Sequence, residues 1–212
     1  MPYTPPSLAT LRASVARDLR DPTYKTFSTT EVNDLINAGI VEVSRVVPVE
    51  SIDSVIFQTG SAEYPTSATD AFRVELYVDG EYNATVPPNT DDDSAQGGWD
   101  LFGGMLHLPW SLVVRLSEDT QDTLRVWGYR NRSTLSADNE SLEGDADIEQ
   151  AVRTYALLEG YQRLVNSRAL FQQWVQTPGN SDVSPTQLMG FAQTYESQWQ
   201  RIRQQMRKLR RR

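Results

Sequence analysis

The hydrophobic pattern of this chain changes period twice, and that change constrains the fold more than any other feature. Apolar residues recur at helical spacing up to about position 50, alternate with period two from 51 to about 131, and return to helical spacing beyond 147. A helix shows one face about every 3.6 residues and a strand every two, so one element cannot satisfy both patterns. The pattern predicts an α+β fold: a helical bundle built from both chain ends, with an inserted antiparallel β-domain, a small sandwich or barrel. The corresponding boundaries are 1–50, 51–133 and 134–200, followed by a basic tail at 201–212.

The helical ends carry explicit start and stop signals. Leu8, Leu11, Val15 and Leu19 share one face, Ser7 can cap it, and Asp21-Pro22 ends it. Ser28 and Glu31 have capping-box spacing, with Phe27 and Val32 at the staple positions. The helix they start shows Val32, Leu35, Ile36, Ile40, Val43 and Val47 on one side and stops at Pro48. Asp147, with Gln150 as box partner, is the expected cap of a long later helix. It is followed by Leu170, Phe171, Trp174 and Val175 and by the breaker Thr177-Pro178-Gly179. Ser184, Pro185 and Gln187 open the last helix.

Between these ends, Val55-Ile56-Phe57 reads as a strand, and Phe72, Val74, Leu76 and Val78 alternate as a second. Asp79-Gly80 is a two-residue hairpin turn, and Tyr82, Ala84 and Val86 form its return strand. Gly103-Gly104 turns another hairpin between 99–102 and 105–108. Segments 112–116 and 123–129 bring the total to about six to eight strands. The region's aromatics (Phe72, Tyr77, Tyr82, Trp99, Phe102, Trp110, Trp127, Tyr129) are expected to fill its core, with a sugar platform as the alternative.

Composition removes most chemistry. The chain of 212 residues has no cysteine, which excludes disulfides, thiol nucleophiles and thiolate metal sites. His107 is the only histidine and sits in a strand-like Leu106-His107-Leu108, where a structural role outweighs acid–base work. No phosphate-binding glycine loop occurs. Asp91-Asp92-Asp93 lacks the spaced ligands of a calcium loop. Glu143, Asp145, Asp147 and Glu149 lie in a polar linker at a helix start, where carboxylates suit the dipole better than glycoside hydrolysis. The expectation is no enzyme, no cofactor, no metal and no membrane segment, and no secretory signal in Met1-Pro2-Tyr3-Thr4-Pro5-Pro6.

Charge is unevenly placed. Of 20 basic residues, seven (Arg201, Arg203, Arg207, Lys208, Arg210, Arg211, Arg212) fall in the last twelve positions, which hold no acid. The remaining 13 bases face 28 acids, so the body carries −15 within a net charge of −8. The tail seeks an anionic partner while the body repels phosphate. The last helix also carries an unbroken apolar seam, Leu188, Ala192, Tyr195, Trp199, Ile202, Met206 and Leu209. Its first half is expected to pack in the chain's own bundle. Its end, Trp199, Ile202, Met206 and Leu209 with the seven bases, is expected to dock into another protein.

The stretch 19–45, with its Asp21-Pro22 turn, Phe27-Ser28-Thr29-Thr30-Glu31 cap and Leu35-Ile36-Asn37-Ala38-Gly39 helix, resembles the head-to-tail adaptor (connector) proteins of tailed bacteriophages. The resemblance implies a structural virion protein of the neck, assembled in the host cytoplasm. It implies a ring of about twelve copies beneath the portal protein ring, with a stopper, tail or nozzle protein below and duplex DNA passing without specific contact. Docking on the portal would fall to 201–212. The competing readings are a nucleic-acid-binding protein acting through the tail, and a carbohydrate- or receptor-binding module using the β-domain.

Overall fold

The computed structural model describes residues 3–210 except 57, 59, 79–80, 90–97, 111–112 and 114–122. It divides into two compact units: Met1–Val47 with Arg132–Arg212, and Pro48–Asn131.

The first unit holds helices α1 (Leu8–Asp18), α2 (Thr29–Val46), α3 (Ala146–Asn166), α4 (Arg168–Trp174) and α5 (Pro185–Arg210). Their starts follow local chemistry. The Ser7 hydroxyl accepts from the Thr10 amide. At α2 the full capping box forms: the Ser28 amide donates to Glu31 Oε2 at 2.7 Å and the Glu31 amide to Ser28 Oγ at 3.2 Å. Ser184 and Gln187 reciprocate in the same way at α5. At α3 the cap is Asp145 rather than the expected Asp147. Its carboxylate is the one that reaches the amides of Asp147 and Ile148, at 3.1 and 3.0 Å. Asp147 instead joins Glu149 in the first turn, where both favour the helix dipole.

Helix α3 is the hub of this unit, packing against all four other helices. The core runs from Leu8, Leu11 and Val15 of α1 through Leu35, Ile36 and Ile40 of α2 to Val152, Leu158 and Leu164 of α3. Gly39 lets α2 approach closely, since a Cβ there would stand 2.7 Å from the Val152 carbonyl oxygen. Among the described residues, no helix is long and apolar enough to cross a membrane.

The second unit contains two antiparallel sheets. One has the order β1-β7-β3-β4 and the other β2-β6-β5. The strands are β1 (Val49–Ile56), β2 (Glu63–Pro65), β3 (Asp70–Val78), β4 (Glu81–Val86), β5 (Asp100–Phe102), β6 (Met105–His107) and β7 (Thr123–Arg130). Val74, Leu76, Leu124 and Val126 of the first sheet share one buried cluster with Tyr64 and Leu106 of the second, which makes the unit a small sandwich. The β5–β6 turn places Gly103 and Gly104 at φ +61° and +78°, the left-handed pair that a tight hairpin requires. Asp79-Gly80 lies outside the described residues, although Val78 and Glu81 on either side pair across β3 and β4. Segment 112–116 also lies outside them apart from Val113, which is helical rather than extended.

Two expectations for this unit are corrected. The β3–β7 register shifts between Ala71 and Arg73, and Phe72 at that irregularity is 51% exposed, so the alternation does not extend back to it. The aromatics do not fill the core as a set. Trp99 is buried with its Nε1 donating to the Val86 carbonyl, whereas Phe102 and Trp110 are exposed. Trp127 and Tyr129 are half-buried at positions alternating with the core residues Leu124 and Val126. The side chains of Tyr77 and Tyr82 lie outside the description.

Candidate docking surface

The expected docking residues from Trp199 to Arg210 sit on the last turns of α5, and the side chains described as far as Lys208 divide sharply. Trp199 is 3% exposed, with its ring edge-on to Tyr155 at 5.1 Å. Met206 is 5% exposed in the same core, and Ile202 packs half-buried against it. The apolar seam is therefore used within this chain at least as far as Met206, and it is not an open face awaiting a partner. The reason is the pairing of α5 with α3. Tyr161 stacks on Tyr195 at 5.4 Å, and Tyr155 meets Trp199. This antiparallel alignment carries the end of α5 alongside the start of α3, where Ile148 joins Met206 in one cluster.

What α5 offers outward is cationic. Arg201, Arg207 and Lys208 are exposed, and Arg203 is half-buried with an enclosed Nε that has no hydrogen-bond partner. None of these four forms an ion pair among the described residues, although the chain is rich in acids. Backbone carbonyls at a helix C-terminus favour such charges by a few tenths of a kcal/mol, about 0.3–1 at most when exposed. That is too little to account for seven of them in one segment. The side chains of Leu209 and Arg210 are not described, and Arg211 and Arg212 lie outside the described residues.

Glu149 of α3 and Asp18 of α1 are engaged by Arg153. Glu149 binds Arg153 at 3.5 Å and accepts the Tyr3 hydroxyl at 3.1 Å. Burial, then that contact, pushes the Tyr3 phenol up to about 12. Asp18 takes the other side of Arg153 at 2.8 Å. Asp18, Glu149 and Arg153 line a cavity with Tyr195, whose phenol is also raised by burial. A carboxylate–guanidinium–carboxylate chain of this kind holds helices together. It presents no free acid beside a free base as general acid–base chemistry needs. His107 pairs in register with Glu63, and its Nδ1 lies 3.5 Å from that carboxylate. Asp91-Asp92-Asp93 lies outside the described residues. Among the described residues no three His, Asp or Glu side chains are grouped to hold a metal.

Sequence reasoning overlooked the residues that close the helical unit around the insertion. Arg132, where the chain re-enters, donates its Nε to the Glu143 carbonyl at 3.0 Å and its Nη1 to the Val47 carbonyl. Asn37 grips Leu135 twice, donating to its carbonyl at 3.0 Å and accepting its amide at 2.9 Å. Asp21, read only as a helix end, is 1% exposed and accepts the amides of Lys25, Thr26 and Phe27 at 2.8–2.9 Å. The Asp-Pro dipeptide is a signal for that turn. No local signal exists for Asn37 or Arg132, whose partners are remote. No protein-family model matches the chain, and no curated protein matches it.

Proposed function

We propose that this chain is a structural ring adaptor of the tailed-bacteriophage neck, docking under a portal ring and extending the DNA channel towards the tail. The observation that carries the reading is the 19–45 segment that resembles the adaptor family. Its parts act as one architectural device: a buried Asp21 organises the turn, Ser28 and Glu31 lock the cap, and Asn37 fastens α2 to the segment that follows the insertion. An acidic body suits a channel wall, because a surface that repels phosphate lets duplex DNA slide. With the seam buried, the proposed anchor on the portal is the cationic flank of α5: Arg201, Arg207 and Lys208, continued by the basic residues to 212. Docking through exposed charge weakens with salt.

The burial of Trp199 and Met206 also favours a second reading, nucleic-acid binding through the tail, because cations without an apolar anchor serve phosphate equally well. Co-sedimentation separates the two. Full-length protein and a variant carrying Arg201→Glu, Arg207→Glu and Lys208→Glu, which leaves Ile202 and Met206 in the core, are offered the portal ring of the same genome and, in parallel, duplex DNA. Portal binding lost in the variant supports the adaptor. DNA binding with the portal ignored replaces it with the second reading. Retention of portal binding by the variant removes the cationic flank from the anchor.

A further inference from the structure

Strand β1 is the edge of its sheet, and among the described residues β7 is its only strand partner. It is eight residues long and pairs with β7 in unbroken register. It carries no proline, lysine or bulge, three of the devices that keep natural edges from pairing, and its one inward-facing carboxylate, Asp53, is held by hydrogen bonds from Thr66 and Ser67 of its own chain. Ile52 and Ile56 on its outer face are 52% and 68% exposed. On its inner face Val49, Ser51, Asp53 and Val55 are only half-buried, whereas Leu124 and Val126, their neighbours on β7, are fully buried. The core thus thins out at this edge, where one more strand would complete it.

The sequence of the strand says which strand fits. Val49-Glu50-Ser51-Ile52-Asp53-Ser54-Val55 is close to a palindrome in residue class. Laid antiparallel on a second copy and centred on Ile52, it sets Ile52 opposite Ile52 and Val49 opposite Val55. Glu50 then faces Ser54, and Asp53 faces Ser51. Apolar meets apolar, and no carboxylate meets a carboxylate. A shift of two residues one way sets Asp53 against Asp53. A shift the other way sets Ile52 against Glu50 and Val49 against Asp53. Directly opposed side chains in antiparallel pairs interact most strongly, and like charges there are unfavourable. One register is therefore selected.

We propose that β1 is a self-association edge, through which two copies of this chain join their four-stranded sheets into one continuous antiparallel sheet centred on Ile52. The contact is isologous and closes at two copies. It is distinct from the heterologous contact that a ring needs, and it stands whether or not the adaptor reading does. Backbone hydrogen bonds along the edge supply affinity, and the Ile52 pair with its flanking valines supplies register.

The test uses the full chain with Ile52→Lys and Ile52→Glu, each checked for folding by circular dichroism. Wild type is expected to sediment as a concentration-dependent dimer. Each variant alone places like charges at the centre and is expected to lose the dimer population by about tenfold or more. An equimolar mixture of the two restores it, since lysine then faces glutamate. Because the chain has no cysteine, Ile52→Cys gives an independent reading. It should oxidise to a covalent dimer, while Ser54→Cys, which faces Glu50, should not. A monomeric wild type, a mixture no more associated than its components, or equal cross-linking at both positions overturns the proposal.

Discussion

The Ser44 hydroxyl accepts the backbone N–H of Arg132 at 3.0 Å while donating to the Ile40 carbonyl at 2.8 Å. One buried side chain on α2 thereby binds the residue at which the chain returns from its insertion. Removing the hydroxyl leaves a buried amide without a partner, a state that costs about 1–3 kcal/mol. Ser44→Ala is expected to lower the unfolding free energy of the helical unit by that amount, read from urea denaturation. A Ser44→Thr variant that keeps the hydroxyl and fits should recover part of it.

Gly39 tests the approach of α2 to α3. On propensity alone, Gly39→Ala should stabilise a helix by about 1 kcal/mol. The new methyl would stand 2.7 Å from the Val152 carbonyl oxygen, a backbone atom that cannot rotate away. Overpacking of this kind costs about 1–3 kcal/mol, so the net effect is destabilising. Thermal unfolding of the variant measures the sign, and a raised midpoint would show that the helices separate without penalty.

The two sides of α5 should respond to mutation in opposite ways. Met206→Ala empties a buried site and is expected to cost about 2–5 kcal/mol. Arg207→Glu with Lys208→Glu changes only exposed charge and should move stability by no more than about 0.5 kcal/mol each. Partner binding should follow the reverse order, lost in the charge variants and kept by Met206→Ala wherever that variant folds. Chemical denaturation together with portal and DNA pull-downs reads both columns.

Stability should also depend on Glu31 in acid. The Ser28 backbone amide, then its hydroxyl, hold the Glu31 carboxyl below its ordinary value of 4.5. A carboxyl lowered by folding contributes stability that is fully present above its unfolded value. That contribution is lost as pH falls through the lower folded value. Wild type should therefore exceed Glu31→Gln in stability at pH 6, and the gap should close at pH values well below 4.5. A gap that persists unchanged in acid would mean that the ionised carboxylate is not what the cap uses.

The sequence by itself determined what depends on neighbours a few residues away. Ser28 and Glu31, Ser184 and Gln187, and Gly103-Gly104 work through bonds that close within one turn, so their spacing alone announces the element. The two changes of hydrophobic period announce the α+β class, because a helix and a strand bury different sets of residues. Tertiary structure decided whatever needs a partner distant in the chain. Phe72 lost its core position to a register shift against β7, and Asp145 took the cap that Asp147 was expected to hold. The seam of α5 was visible as a stripe, but a stripe does not say what covers it. Only the alignment of α3, which brings Tyr155 to Trp199 and Tyr161 to Tyr195, turned the seam inward and left Arg201, Arg207 and Lys208 outside. An apolar face is covered by whichever surface the fold aligns with it, and that alignment is a property of the whole fold.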